Sequence, residues 1–201
     1  MKQIKTVEII ALMKKLYKNN CFQKPKMTKL AKRKKIPWKV LEHRAQYQVL
    51  VFPYYMKKNN RPLFALLKRE DLHIWHGVGG GGKIGEALLD SVKKEAFEEA
   101  GIPHNSKFTQ LSSITFIPVT AMAGFVWGPE VPVVPEYSFG VEVKSQNLRL
   151  SFEHTEYDWF SYKGARRRLH WESNKTSLWE LYYRIKNNLL DKVVAFNHVL
   201  G

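Results

Sequence analysis

The sequence predicts an α/β fold, an α/β/α sandwich in which a mixed β-sheet lies between helices. Short stretches rich in β-branched and aromatic residues, such as QYQVLVFPY at 46–54, predict the strands. Two segments have apolar residues at helical spacing. One follows a run of glycines and the other lies in the C-terminal part, and we expect these two helices to cover opposite sides of the sheet.

The elements are predicted in the following order along the chain. Strands are expected at 46–54, 62–67, 73–78, 108–118 and 137–143 and within 151–162. A helix is expected to end at Gly101 with a left-handed cap, followed later by a short helix at 163–170 and a longer one at 175–190. Ser173 or Asn174 is the expected N-cap of that last helix. Residues 119–136 are expected to form a long loop that lines a substrate pocket or a dimer interface.

Length and composition predict one domain of ordinary size with an extension. The chain has 201 residues, and we place the extension at 1–35 and the folded domain at 36–201. A single cysteine, Cys21, excludes a disulfide framework and fits a reducing compartment. No apolar run reaches the length of about 18 residues that a membrane helix needs. A cytoplasmic protein without membrane contact is therefore expected.

The positive charge is concentrated at the N-terminus. The chain has a net charge of +15, and residues 1–40 contain thirteen Lys or Arg against Glu8 alone. One interpretation is an arm that binds nucleic acid, with 28–36 placed somewhat like the second helix of a helix-turn-helix. The favoured interpretation is a partly helical basic extension that packs on the domain or on a sister subunit, with its lysines in solvent.

Three glutamates crowd one side of the helix that ends at Gly101. Glu95, Glu98 and Glu99 have the i, i+3 and i+4 spacing at which like charges repel each other. A solvated acidic face is the ordinary interpretation of such a run. The alternative is a hard divalent cation, Mg²⁺ or Mn²⁺, held by these carboxylates and by a carbonyl near Gly80 in the preceding glycine turn.

The joint spacing favours the cation. Gly80 is followed after five residues by Glu86 and after seven more by KEAFEEAGI at 94–102. This arrangement resembles the signature of the Nudix hydrolases, in which an arginine stands where this chain has Lys94. Lysine keeps the charge but lacks the planar fork of arginine. The segment LHWESNKTSLWEL at 169–181 is similar to the closing helix of dihydroneopterin triphosphate pyrophosphohydrolases and of related deoxynucleoside triphosphate pyrophosphohydrolases.

The resemblance implies a set of metal and catalytic residues. The implied metal site consists of Glu95, Glu98, Glu99, Glu153 and a carbonyl near Gly80. Glu153, in the FEH context before a predicted strand, matches the outlying metal-binding glutamate of the family, and Glu156 is the competing choice. Glu98 or Glu153 is the expected base for the attacking water. Lys94 and Glu95 complete the expected catalytic group, and Glu86 is expected to pair with Lys94 or to favour the helix N-terminus.

Substrate contacts are expected from aromatic residues and one arginine. Trp75, just ahead of the signature, is interpreted equally well as a base-stacking wall or as core. Phe125 and Trp127, in the 119–136 loop, are the expected ring contacts. Arg44 is interpreted either as a phosphate contact or as a surface charge.

The predicted function is Mg²⁺-dependent hydrolysis of a nucleoside or pterin triphosphate that releases pyrophosphate or phosphate. Two alternatives stay open at this point. The substrate could instead be a dinucleoside polyphosphate or an RNA 5′ end, for which the basic extension would add salt-dependent affinity. The domain could also bind a nucleotide without cleaving it, as a regulator that contacts nucleic acid through residues 1–35.

Overall fold

A computed structural model describes residues 43–121, 126–128 and 130–191. The strands among them are β1 (Gln48–Met56), β2 (Pro62–Arg69), β3 (Trp75–His76), β4 (Val78–Gly80), β5 (Phe108–Pro118), β6 (Val133–Glu142) and β7 (His154–Ser161). The helices are α1 (Leu88–Ala100), α2 (Tyr162–Arg168) and α3 (Glu172–Lys186), and Val119–Ala121 form a 3₁₀ turn. The predicted extension and its boundary at residue 36 lie outside the described residues.

The strands form one mixed sheet centred on β1. The strand order is β3, β2, β1, β6, β5, and β4 also pairs with β1 while β7 pairs with β2. β1 runs parallel to β6 and antiparallel to β2 and β4. β4 pairs with the first half of β1 and β2 with its last residues, so the glycine turn after β4 lies at the N-terminal end of β1.

The two faces of the sheet carry two hydrophobic cores. Successive side chains of a strand point to opposite faces. Val49 and Val51 accordingly belong to the cluster that includes α1, whereas Leu50 and Phe52 belong to the cluster that includes α3. We call these sides the α1 face and the α3 face. The predicted α/β/α sandwich with a mixed sheet is confirmed.

The ends of the helices match the prediction in one case and not in the other. Gly101 adopts a left-handed conformation with φ of 68° and caps α1, as predicted. α3 begins at Glu172, before the predicted start, and neither Ser173 nor Asn174 is its N-cap. Trp171 takes that position without a side-chain capping bond, because Ser173 and Asn174 are already inside the first turn. No helix in the described part of the chain has the length and apolarity to cross a membrane.

The predicted loop at 119–136 is too long at its far end. Val133 to Glu136 are already strand residues, paired with residues 115–118 of β5. The prolines of this segment misled the prediction, since proline cannot donate a hydrogen bond within a sheet. Pro135 is tolerated because it precedes Glu136, the point at which β6 begins to pair with β1 as well.

Candidate active site

The glycine turn packs directly against the acidic side of α1. Gly80 pairs with Val49 of β1, and its Cα faces the Glu95 side chain. A Cβ atom at position 80 would overlap Cδ of Glu95. The residue predicted to offer a carbonyl to a cation is therefore also the residue that makes room for a carboxylate.

Lys94 links Glu95 to the same turn. Its Nζ lies 3.0 Å from Oε1 of Glu95 and donates to the carbonyl oxygen of Gly81 at 3.3 Å. Burial raises the pKa of Glu95, although the hydrogen bond and the charge of Lys94 act in the opposite direction. A single ammonium group thus positions both the carboxylate and the turn.

Glu99 is a buried carboxylate with little charge compensation. Only 6% of its surface is exposed. Its Oε2 accepts a hydrogen bond from the Gly79 N–H at 3.1 Å and lies 3.9 Å from Nε2 of His154. Burial raises the pKa of Glu99 to about 8, against the effect of the Gly79 bond, and the charges of Glu95 and Glu153 raise it further. A cation placed here would stabilise the ionised form.

Glu98 and Glu86 occupy more open positions. Glu98 is exposed on α1, and its negative charge raises the pKa of the neighbouring Glu95. Glu86 precedes the helix, and its Oε2 accepts a hydrogen bond from the backbone N–H of Lys83 at 2.8 Å. Glu86 therefore fixes the entry into α1, while Glu98 remains accessible to a substrate.

Glu153 interacts electrostatically with the acidic group, whereas its competitor Glu156 pairs with a lysine. Glu153 directly precedes β7, and its negative charge raises the pKa of both Glu99 and Arg44. Glu156 instead forms a 2.7 Å ion pair with Lys68 on the adjacent strand β2. Of the two candidates, the structure brings Glu153 toward the carboxylates of α1.

Sequence reasoning missed a histidine pair beside Glu99. The rings of His76 and His154 stack with centroids 5.2 Å apart, and their Nε2 atoms are 3.1 Å apart. Burial lowers the pKa of both residues, that of His154 to about 4. Two neutral imidazoles can share one hydrogen bond, with one Nε2 donating and the other accepting. The FEH context pointed to His154 only as a neighbour of Glu153, because His76 is 78 residues away.

Arg44 and Trp127 line an open depression next to the glycine turn. The guanidinium carbon lies 5.7 Å from the indole centroid, and Nε1 of Trp127 donates to the Arg44 carbonyl at 2.9 Å. The depression has a volume of about 500 Å³, and its other lining residues are Ala45, Gln46, Ile84, Gly85 and Val126. Burial lowers the pKa of Arg44, whereas the charges of Glu95 and Glu153 raise it. The predicted ring contact Phe125 lies outside the described residues.

Trp75 packs against the core of the α3 face. Its ring meets that of Phe160 edge-on, with centroids 5.4 Å apart, and Nζ of Lys68 lies 5.8 Å from its centroid. Its backbone also forms a bridge with Leu169 at the end of α2. These contacts agree better with the core interpretation of Trp75 than with a base-stacking wall.

The acidic side chains have the chemistry that suits a divalent cation, but their arrangement in the structure does not form a complete metal site. Within residues 43–121, 126–128 and 130–191, no three Asp, Glu, His or Cys side chains are arranged to hold a metal ion. Lys94 draws Glu95 to itself. The donors are nevertheless hard oxygen ligands whose pKa burial raises, so a cation would compete with a proton at Glu99 and with the ammonium group at Glu95.

Comparison with known proteins agrees with the sequence signature. Residues 46–179 match the family model of the NUDIX domain. A protein of known structure from Listeria monocytogenes, assigned as a NUDIX hydrolase, is 36% identical with a TM-score of 0.67, and the match covers 74% of this chain and 100% of that one. A search of curated protein sequences found no significant match.

Two more distant structures share the fold. The E. coli dihydroneopterin triphosphate pyrophosphohydrolase is 18% identical with a TM-score of 0.61, and the match covers 71% of this chain and 98% of that one. The C. elegans Ap4A hydrolase is 17% identical with a TM-score of 0.52, over 70% of this chain and 98% of that one. The family model and the Listeria relative together show that the chain belongs to the Nudix hydrolase family.

Proposed function

We propose that this protein hydrolyses a phosphoanhydride bond in a nucleoside or pterin triphosphate with the help of Mg²⁺, for which Mn²⁺ can substitute, and releases pyrophosphate or phosphate. The observation that carries the proposal is the contact between the glycine turn and α1, where Glu95 packs on Gly80 and Glu99 accepts a hydrogen bond from Gly79. Buried carboxylates with raised pKa favour a divalent cation, and a polyphosphate is the substrate class that needs one.

Four carboxylates and the glycine turn form the metal site in this proposal. Glu95 and Glu99 hold the cation together with Glu98, Glu153 and a carbonyl near Gly80. The bound metal would neutralise the phosphate oxygens and lower the pKa of a water molecule. Lys94 keeps Glu95 and the turn in register, as its contacts with the Glu95 carboxylate and the Gly81 carbonyl indicate.

Glu98 is the proposed general base. It is exposed on α1, so it can accept a proton from the attacking water without an opening of the core. The water oxygen forms a new bond to the attacked phosphorus, the bridging P–O bond breaks, and the fragment that keeps the bridging oxygen leaves with the electron pair. Glu153 is the second choice for this role, because its charge reaches the same group of residues.

The substrate is expected to extend from this acidic group toward the depression. Arg44 is within electrostatic reach of Glu95 and Glu153, so its guanidinium can bind a phosphate that also contacts the cation. Trp127 offers a ring next to that guanidinium. Phosphates over the glycine turn and a ring toward Trp127 would fill the two regions at once.

The test is release of pyrophosphate and phosphate from nucleoside, deoxynucleoside and dihydroneopterin triphosphates with Mg²⁺. Glu98→Gln should lower kcat by about 10²–10⁴-fold, the usual contribution of a general base. Glu156→Gln is the matched control, because that glutamate is also exposed but pairs with Lys68. Absence of metal-dependent cleavage for every triphosphate would refute the proposal.

The basic N-terminus favours one second candidate, an RNA 5′ end. Thirteen basic residues among the first 40 would add counter-ion release to the binding of a nucleic acid. Cleavage of a triphosphorylated RNA that falls steeply with salt, without cleavage of free nucleotides, would favour this candidate. A dinucleoside polyphosphate belongs to the same panel, and nucleotide binding without any cleavage would indicate a regulator.

A further inference from the structure

A pair of hydroxyl groups joins the start of β1 to the first turn of α1, beside the glycine turn. Tyr47 lies one residue before β1, and its Oη is 2.7 Å from Oγ of Ser91, a residue with no exposed surface. Gly82 packs directly on this pair, because a Cβ atom there would overlap both oxygens. The carbonyl oxygen of Gly82 also accepts a hydrogen bond from the Ala45 N–H at 3.0 Å. We call Tyr47 and Ser91 the hydroxyl latch.

Close approach, and not backbone conformation, requires a glycine at position 82. Gly85 adopts the left-handed conformation that favours glycine, whereas Gly82 does not have a positive φ. The space in which a side chain would begin at position 82 is occupied by the hydroxyl latch. The absence of a side chain at Gly82 therefore serves to bring the turn into contact with Tyr47 and Ser91.

The hydroxyl latch also reaches the residue that fixes the entry into α1. Oη of Tyr47 lies 3.5 Å from the carbonyl oxygen of Glu86. Burial acts to raise the pKa of the Glu86 carboxylate, but hydrogen bonds from the Lys83 N–H and the Ser91 hydroxyl, with the charges of Lys94 and Lys83, lower it. A hydroxyl group donates one hydrogen bond and accepts others, so Tyr47 can donate to Ser91 while Ser91 donates to Glu86. The latch thus connects the start of β1, the glycine turn and the start of α1.

The hydroxyl latch differs from the other side-chain contacts of the turn because it carries no charge. Gly79 is held by the Glu99 carboxylate and Gly81 by the Lys94 ammonium group. A cation at the carboxylates would compete with both contacts, since it binds the same oxygens that Gly79 and Lys94 now contact. The two hydroxyl groups of the latch bond to each other instead. The latch can therefore hold the turn in the same place before and after a cation binds.

We propose that Tyr47 and Ser91 are positioning residues that hold the glycine turn against α1, so that a carbonyl near Gly80 faces the cation. This inference rests on the proposed function for the cation, whereas the latch itself consists of contacts within the chain. Loss of one hydroxyl group leaves every carboxylate in place and releases the turn. The affinity for the cation should then fall, while the affinity for the triphosphate stays the same.

The test measures the turn and the cation separately in the full chain, with Tyr47→Phe, Ser91→Ala and the double variant. In the metal-free protein, amide hydrogen exchange over residues 79–86 should be about 3–10-fold faster than in the wild type, the range for one lost hydrogen bond, with no change over β5. Mn²⁺ titration should show binding weakened by a similar factor.

The double variant and a second tyrosine provide the controls. Both single variants remove the same hydrogen bond, so the double variant should resemble Ser91→Ala instead of adding the two losses. Tyr55→Phe is the matched control, because the Tyr55 ring packs edge-on against Trp159 and its hydroxyl group has no hydrogen bond within the described residues. In the hydrolysis assay, the Mg²⁺ concentration for half-maximal rate should rise by about 3–10-fold in the latch variants, with KM for the triphosphate unchanged.

Wild-type exchange at residues 79–86 in the variants, or additive losses in the double variant, would overturn the latch. Faster exchange with unchanged Mn²⁺ affinity would overturn its role for the cation. Thermal unfolding identifies a variant that fails to fold, and Tyr47→Phe, which keeps the ring and removes only the hydroxyl group, then carries the test. The two proposals fail differently, since latch variants that behave as expected in a protein that binds Mn²⁺ but cleaves no triphosphate would refute only the proposed reaction.

Discussion

The two faces of the sheet place their polar residues in opposite ways. On the α1 face, Gly79, Gly80, Glu95 and Glu99 come from one continuous stretch of chain, and their carboxylates are held by the turn itself. On the α3 face, the buried polar side chains Gln48, Ser138 and Asn174 come from β1, β6 and α3, and they border the larger apolar core. Local spacing builds the first region, whereas only tertiary packing builds the second.

This difference separates catalysis from stability. On the α1 face, burial raises the pKa of the carboxylates. This arrangement favours the binding of a cation and does not stabilise the fold. The α3 face contains side chains such as Phe52, Leu178 and Leu181 that have no exposed surface. Changes at the glycine turn and the carboxylates of the α1 face should therefore reduce activity more than stability, and changes in the α3 core should do the reverse.

Among the changes that compare the two faces, the largest effect is expected for Gly80→Ala. The new Cβ would overlap the end of the Glu95 side chain, which can move away, so the fold survives but a carboxylate that we propose as a metal ligand is displaced. We expect kcat/KM to fall by about 10²–10³-fold with a change in unfolding free energy below about 1 kcal/mol. Steady-state kinetics and thermal unfolding of the same preparation measure both quantities.

Gly79→Ala is the matched control for this change. A Cβ at position 79 would be 3.6 Å from the Val49 carbonyl oxygen, an ordinary contact, and neither glycine has a positive φ. Comparable activity of the two alanine variants would show that the packing of Glu95 on the turn does not matter for catalysis.

The second effect tests the α3 face. Leu181 of α3 is completely buried against Gly140 of β6. Leu181→Ala should lower the unfolding free energy by about 2–5 kcal/mol through loss of burial and formation of a cavity. Leu89→Ala on α1 is the control, because 43% of that leucine is exposed. If urea unfolding shows equal losses, or if Leu181→Ala reduces kcat of the folded enzyme as strongly as Gly80→Ala does, the separation between the faces is wrong.

A smaller effect is expected where α3 holds β5. Glu180 accepts hydrogen bonds from the backbone N–H groups of Ser112 and Ser113, both at 2.7 Å, and pairs with Arg184 at 2.6 Å. Burial acts to raise the pKa of Glu180, but the two serines and Arg184 together lower it. Glu180→Gln should cost about 1.5–3 kcal/mol at neutral pH.

The contribution of Glu180 to the unfolding free energy depends on pH in a defined direction. Because the folded-state pKa of Glu180 is lowered, its contribution is present above the unfolded pKa of about 4.5 and is lost as the pH falls through the folded value. Urea unfolding of wild type and Glu180→Gln should therefore converge in acid. A constant difference between the two proteins down to the lowest pH at which they fold would contradict this role of the carboxylate.

The sequence predicts those features that depend on neighbours in the chain. The bounds of β5, the left-handed cap at Gly101 and the glycine turn before α1 follow from local pattern and were confirmed. The start of β6 was missed because strand pairing on both sides outweighs the local effect of its prolines. The N-cap of α3 was missed because Asn174 is buried against the sheet instead of capping the helix.

The same distinction applies to the site. Glu95 and Glu99 could be identified from spacing, since one helix face determines their proximity. The pair His76–His154 is formed across strands by residues far apart in the chain, and a single histidine has no distinctive sequence context. Residues that come together only through sheet pairing can be identified only from the structure.

The smallest effect concerns the competition between the metal ion and a proton for the Glu99 carboxylate. Its pKa is raised to about 8, so the metal-free folded protein holds a proton that the unfolded chain releases, and its stability should fall as pH rises from about 4.5 to about 8. In the proposed function, Mg²⁺ would take the place of that proton. Thermal unfolding should therefore show that Mg²⁺ stabilises the wild type by about 1 kcal/mol more at about pH 8.5 than at about pH 6. Glu99→Gln, which cannot ionise, should lose this pH dependence, and an equal Mg²⁺ effect at both pH values in the wild type would show that Glu99 is not a ligand of the cation.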